Sequence, residues 1–134
     1  SLLKLSKFLI KKYKINIKNI LGHSDIAPER KKDPGEKFPW QYLSQNKVGL
    51  WHTLKKQYLI KNRQIKTTKA DKDLFINNLV KIGYQKIFSS NLGKNKCLNY
   101  IIKAFQRRYR QNLIDGKIDQ ECLIISQNLI KKLH

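Results

Sequence analysis

Methionine is absent from this chain of 134 residues, and cysteine, proline and glycine are scarce at two, three and six. Cys97 and Cys122 do not stand in C-x-x-C spacing, so a cysteine-based zinc site is excluded. Each lies inside an apolar helical pattern and reads as a buried thiol, not half of a disulfide. No uncharged apolar run reaches about 18 residues, which rules out a bilayer-spanning helix. The richest stretch, Leu2 to Ile10, is broken by Lys4 and Lys7 and lacks the small-residue cleavage site of a signal peptide. With no initiator methionine, the start at Ser1 reads as a cut.

Acidic side chains are also few: nine face twenty-nine basic ones, a formal net charge of +20. Such a surplus attracts polyanions, nucleic acid first among them. The charge is nevertheless spread over both halves of the chain, with no recognised nucleic-acid motif. An AT-rich genome also favours Lys, Ile and Asn, so a compositional origin and a selected binding patch both stay open. With 40% apolar and 10% aromatic residues, the composition is that of a folded chain.

Leu2, Leu5, Leu9 and Tyr13 recur at helical spacing among lysines, predicting an amphipathic helix over 2–14. Ile15, Ile17 and Ile20 then alternate, which predicts a short edge strand ending at Gly22-His23. All three prolines fall between Ser24 and Trp40, so this loop is stiff despite having no periodicity. A short helix is expected around Gln41–Ser44, followed by a polar, Lys-rich junction. Three amphipathic helices come next: one capped by Asp71 and carrying Phe75, Leu79 and Ile82, one capped by Asn95, and one capped by Asp119. Ile118 and Leu123 flank the last cap at the spacing of a hydrophobic staple, and Asp115-Gly116 makes the turn before it.

The chemistry lies in Gly22-His23-Ser24-Asp25-Ile26-Ala27-Pro28-Glu29-Arg30-Lys31-Lys32-Asp33-Pro34-Gly35. A rigid loop that returns to its origin would let a His23 nitrogen and an Asp33 oxygen share a metal, and this donor pair suits zinc. In extended backbone Lys31 faces the same side as Asp33, where an ammonium can stabilise oxyanion charge. The same residues also suit an ordinary surface loop. Asp25 is either a partner that orients a ligand or a cap. Phe38 and Trp40 fit a substrate groove less well than they fit loop anchors. Lys103, Arg107 and Arg110 form a stripe that either meets phosphates or is the wet face of a helix.

The run from Gly22 to Trp40 resembles, nearly residue for residue, the hallmark segment of the zinc-dependent N-acetylmuramoyl-L-alanine amidases. Their fold is shared with phage amidases and peptidoglycan recognition proteins. Ala104-Phe105-Gln106, followed by Asp115-Gly116-Lys117-Ile118-Asp119, is similar to the three-helix peptidoglycan-binding domain that follows the catalytic domain in one branch of that family. There a Thr usually comes soon after the last Asp, where this chain has Cys122 nearby.

The resemblance implies a zinc held by two His and one Asp, with His23 and Asp33 as two of those ligands and Lys31 as the lysine that polarises the scissile carbonyl. The first zinc His and a Glu general base are expected upstream, since His52 and His134 read as exposed bystanders. The implied fold class is α+β. Residues 1–56 would form the C-terminal part of an amidase domain (helix, edge strand, ligand loop), 57–70 a linker and 71–134 a three-helix peptidoglycan-binding-like domain. The implied activity is hydrolysis of the amide between N-acetylmuramic acid and L-alanine, with this chain inactive by itself. Expected partners are peptidoglycan or muropeptides and an upstream chain completing the site, with the bacterial cell envelope as location. A non-catalytic peptidoglycan-binding module is the alternative, and a small basic nucleic-acid-binding protein the weakest.

Overall fold

A computed structural model describes residues 1–84 and 94–133 of the chain. Helices α1 (Leu2–Tyr13), α2 (His23–Ile26), α3 (Trp40–Gln45) and α4 (Lys56–Arg63) are followed by the longer α5 (Lys69–Ile82), α6 (Lys94–Tyr109) and α7 (Gln120–Leu133). None of the described residues is in a strand, so the α+β expectation, with its edge strand, gives way to an all-helical arrangement of the described residues. The alternating isoleucines meet no neighbouring strand that could complete a ladder of hydrogen bonds. Ile17–Asn19 instead closes a 3₁₀ turn capped by the Asn16 side chain, which accepts from the Lys18 N–H at 3.1 Å.

The three long helices arise where apolar periodicity places them, with local signals setting their ends. Asp119 accepts from the Cys122 N–H at 2.9 Å and starts α7, while Leu123 joins the core and Ile118 packs against it. Helix α5 begins three residues earlier than expected. Thr68 is its cap, and Asp71 returns the bond to the Thr68 N–H in a capping box. Asn95 falls inside α6, which starts at Lys94.

Phe75 and Phe105 meet edge to face at 5.1 Å, and Ile125, Leu129 and Leu79 close the core around them. Residues 57–70, read from sequence as a linker, hold most of α4, which packs on α7 and sends Leu59 into that core. Arg63 at its end grips Glu121 with two nitrogens, at 2.5 and 3.3 Å. The segment before α4 is strapped to α7 as well: Thr53 N–H donates to Asn128 at 3.0 Å and Lys132 donates to the Trp51 carbonyl at 2.7 Å.

In the last turn of helix α6 the polar side chains are buried along with the apolar ones. Gln106 is fully enclosed and pins the 115–117 turn, donating to the Lys117 carbonyl and accepting from the Gly116 N–H, both at 2.9 Å. Arg110 is 3% exposed and is bound by Asp115, Asp119 and Glu121. The stripe read from sequence as phosphate-binding or wet is therefore neither at Arg107 and Arg110, both buried. Periodicity reports one apolar face, but it cannot report acidic partners supplied from other helices.

His52 is buried as well, contrary to its reading as an exposed bystander; His134 lies outside the described residues. Its Nδ1 accepts from the Leu54 N–H at 3.2 Å and therefore carries no proton. Burial, helped by the nearby Lys132, pushes its pKa down from 6.5 to about 4. The unfolded chain thus binds a proton that the folded one refuses as pH falls from 6.5 towards 4. Stability should fall across that window, by at most on the order of 3 kcal/mol from this group. Urea unfolding at pH 7 and pH 4.5 measures the loss, and His52→Gln, which keeps an acceptor, should make it smaller.

Candidate metal and catalytic loop

The loop from Gly22 to Trp40 is built around one short turn of helix. Asp25 accepts from the Gly22 N–H at 3.0 Å, which starts α2. The Ser24 N–H then donates to the Asp33 carbonyl at 3.0 Å and brings the far end of the loop back to its beginning. The expected return is thus made by backbone. It sets His23 Nδ1 against Asp33 Oδ2 at 2.5 Å, with the two side chains 69% and 59% exposed. The hydrogen bond to His23 is the main cause holding the Asp33 carboxyl below its usual range, with Lys31 adding a smaller electrostatic share. Lys31 itself is exposed.

An imidazole nitrogen and a carboxylate oxygen are donors of the types that bind zinc, and here the two are joined directly by a hydrogen bond. Among the described residues no group of three or more His, Cys, Asp or Glu side chains could hold a metal. His52, the other described histidine, is turned into the protein beside Trp51.

Asp25 is the support beneath the loop. It is buried and takes three donors: the Gly22 N–H, the Tyr84 hydroxyl at 2.7 Å and Arg108 at 2.8 Å. The Arg108 guanidinium also lies over the Trp40 ring, 3.9 Å from its centroid. Trp40 is 5% exposed and packs edge to face on Phe38, so this pair anchors the loop. Tyr84 and Arg108 were not identified from sequence. One signal was present, since Ile101, Phe105 and Arg108 share a helical face and a cation on an apolar stripe calls for a buried partner.

Gly22 is needed for closeness. A Cβ there would sit 2.6 Å from Pro34 Cδ and 3.2 Å from the Trp40 ring, both rigid groups. Gly22→Ala is expected to push Pro34, and Asp33 with it, away from His23, and to cost about 1–3 kcal/mol. Thermal melting reads the cost, and the His23 imidazole NMR signals read the lost contact.

Three comparisons bear on this geometry. The N-acetylmuramoyl-L-alanine amidase AmiD of Escherichia coli K12 is 32% identical over 132 residues, which cover 98% of this chain and 47% of AmiD. The 1,6-anhydro-N-acetylmuramyl-L-alanine amidase AmpD of Enterobacter cloacae is 54% identical over 39 residues, 29% of this chain and 21% of that protein. No family model matches the chain. Among solved structures, the E. coli AmiD complex with anhydro-N-acetylmuramic acid-L-Ala-D-gamma-Glu-L-Lys superposes with a TM-score of 0.79 at 32% identity, over 98% of this chain and 50% of that one. AmpDh3 of Pseudomonas aeruginosa, in complex with anhydromuramic pentapeptide, gives 0.78 at 28% identity, over 98% and 51%. The chain spans about half the length of the relatives that it matches along nearly all of its own.

Proposed function

Because the chain is homologous over nearly its whole length to AmiD/AmpD-type N-acetylmuramoyl-L-alanine amidases, we propose that it acts in a peptidoglycan amidase. Its reaction is hydrolysis of the amide between N-acetylmuramic acid and L-alanine, and its place of work is the bacterial cell envelope. The observation that carries this reading is that backbone closure of the loop brings His23 and Asp33, two residues with zinc-type donors, into hydrogen-bond contact. Residues 71–134 serve in it as a peptidoglycan-binding-like bundle. No described helix is long and apolar enough to cross a membrane.

His23 and Asp33 would hold a zinc ion, and the ion would supply Lewis acidity towards the scissile carbonyl. Lys31, exposed beside Asp33, meets the negative charge that develops on the carbonyl oxygen as water adds to the carbon. The carbon–nitrogen bond then breaks, and the L-alanyl amine leaves with a proton. Asp25, fixed by Tyr84 and Arg108, positions the backbone from which His23 projects. His52, buried away from the loop, does not serve as the second zinc His that the resemblance implies. The polyanion reading is weaker in comparison, since Arg107, Arg108 and Arg110 are all turned inward.

Zinc titration of the chain by calorimetry should find one weak site, lost in both His23→Ala and Asp33→Ala, because two protein ligands leave the coordination unfinished. The chain alone should release no peptide from anhydromuramyl-peptide. Zinc uptake unchanged in both variants would overturn the proposed ligand pair.

A further inference from the structure

We infer that the groove beside Trp51 and His52 is a further contact site for peptidoglycan, taking an N-acetylated sugar of the glycan strand together with a carboxylate of its stem peptide. The inference rests on the amidase reading above and adds a site lined by no residue of the Gly22–Trp40 loop.

The segment that leads from α3 to α4 borders two cavities, of about 460 and 230 Å³. They share Gln41, Trp51 and His52 and so form one groove, whose lining apart from Ile17 lies between Gln41 and Lys132. Its walls are fixed by α7, through the bonds from Lys132 to the Trp51 carbonyl and from Thr53 to Asn128. The Trp51 ring stacks on His52 at 5.0 Å and lies 5.5 Å from Tyr109, yet it is only half-buried. An indole held in place and still partly open is a ready surface for the C–H face of a sugar ring, with no ordering cost on binding.

His52 supplies the polar counterpart. It is 9% exposed, and its Nδ1 accepts from the Leu54 N–H, so the proton of the neutral ring sits on Nε2. That Nε2–H forms no hydrogen bond with any described residue, while His52 borders both cavities. An enclosed donor of this kind calls for an acceptor, and the groove is where one can reach it. The acetamido carbonyl of an N-acetylated sugar is such an acceptor.

Charge selects the rest of the occupant. Lys56 and Lys132 on the lining are exposed, and neither pairs with a carboxylate among the described residues. Glu121, the acidic residue of the lining, is taken up by Arg63 and Arg110. The groove thus offers an aromatic surface, a neutral donor and two cations, the combination that meets a sugar bearing a peptide with free carboxylates. A single-stranded nucleic acid calls instead for a cationic track along its backbone, and two lysines do not make one.

Titration of the chain with the disaccharide-tripeptide N-acetylglucosaminyl-N-acetylmuramyl-L-Ala-D-γ-Glu-L-Lys, followed by NMR at the Trp51 indole N–H and the His52 ring, tests the assignment. Both signals should shift. Chitotetraose, which lacks the carboxylates, should shift them with about tenfold lower affinity, and the free tripeptide should leave them unmoved. Because Trp51 also packs on the core, the deciding variant is Gln41→Ala with Lys56→Gln, both at exposed positions. It should weaken binding of the disaccharide-tripeptide by about tenfold while the urea midpoint stays that of the parent. Absence of shifts at Trp51 and His52 overturns the proposal, as does binding indifferent to the double variant or equal binding of single-stranded DNA. Shifts confined to His23 and its neighbours overturn the groove and leave the amidase reading standing. Shifts at Trp51 and His52 in a chain that takes up no zinc support the groove and remove the zinc reading of His23 and Asp33.

Discussion

Arg108→Met is expected to lower the unfolding free energy by about 3–5 kcal/mol, the range for breaking a buried ion pair from one side. The Arg108 and Asp25 side chains are 2% and 5% exposed, so removing the guanidinium leaves a buried carboxylate without its counter-charge. Asp25 would keep only the Tyr84 hydroxyl and the Gly22 N–H. The contact of the guanidinium with the Trp40 ring disappears as well, and that ring anchors the far end of the loop. The loss should therefore be visible at His23 and Asp33, more than 70 residues away in sequence, as altered NMR shifts at temperatures where α7 is still folded. Asp25→Asn combined with Arg108→Met should recover part of the stability, because a neutral amide tolerates the site better than an unpaired charge. Urea titration of the two single variants and the double variant gives the coupling directly. If Arg108→Met were neutral, the pair would not be the element that joins the loop to α6.

Phe105→Ala should cost a similar amount, about 3–5 kcal/mol. Its ring is fully buried, 5.1 Å from both Phe75 and Tyr109 and 6.3 Å from Tyr84, so truncation removes one member of a four-ring cluster. Against a total stability of about 5–15 kcal/mol for a domain of ordinary size, either substitution is severe. Phe8→Ala is the contrasting case. At 58% exposed, its ring touches solvent and should change the stability of the chain alone by less than about 0.5 kcal/mol. Thermal melting of Phe105→Ala and Phe8→Ala side by side separates a core position from one on the open face of α1.

Much of the site was legible because it is local. His23 and Asp33 are ten residues apart, and the proline-rich composition between them already implied a stiff loop that could return on itself. The motif in that loop pointed to the amidases before any geometry was known, and the comparisons agree with it. The support beneath the loop was not legible in the same way. Tyr84 and Arg108 reach Asp25 across 59 and 83 residues of sequence, and a reading of Asp25 alone offered a ligand partner or a cap without choosing. The observed Asp25 starts α2 and anchors the loop at once.

Helices show the same division. The apolar periodicity around Phe75, Phe105 and Leu129, the Asp119 cap and the Ile118–Leu123 staple were determined by residues three or four apart, which is the reach of a helical turn. Helix α5 starts from a cap at Thr68 and not at Asp71, because the two together make a capping box, a signal equally local. The edge strand failed for another reason: alternation describes only one strand, and a strand exists only when a neighbour completes its hydrogen bonds. Burial of Arg107, Arg108 and Arg110 likewise depended on where α2, α7 and the 115–119 turn came to rest. By itself the sequence determined which segments coil, where a helix is capped and which loop carries metal-type donors, because those choices are made over a few residues. Tertiary structure alone decided which charges are enclosed and which apolar face stays open, because burial is a property of neighbours distant in the chain.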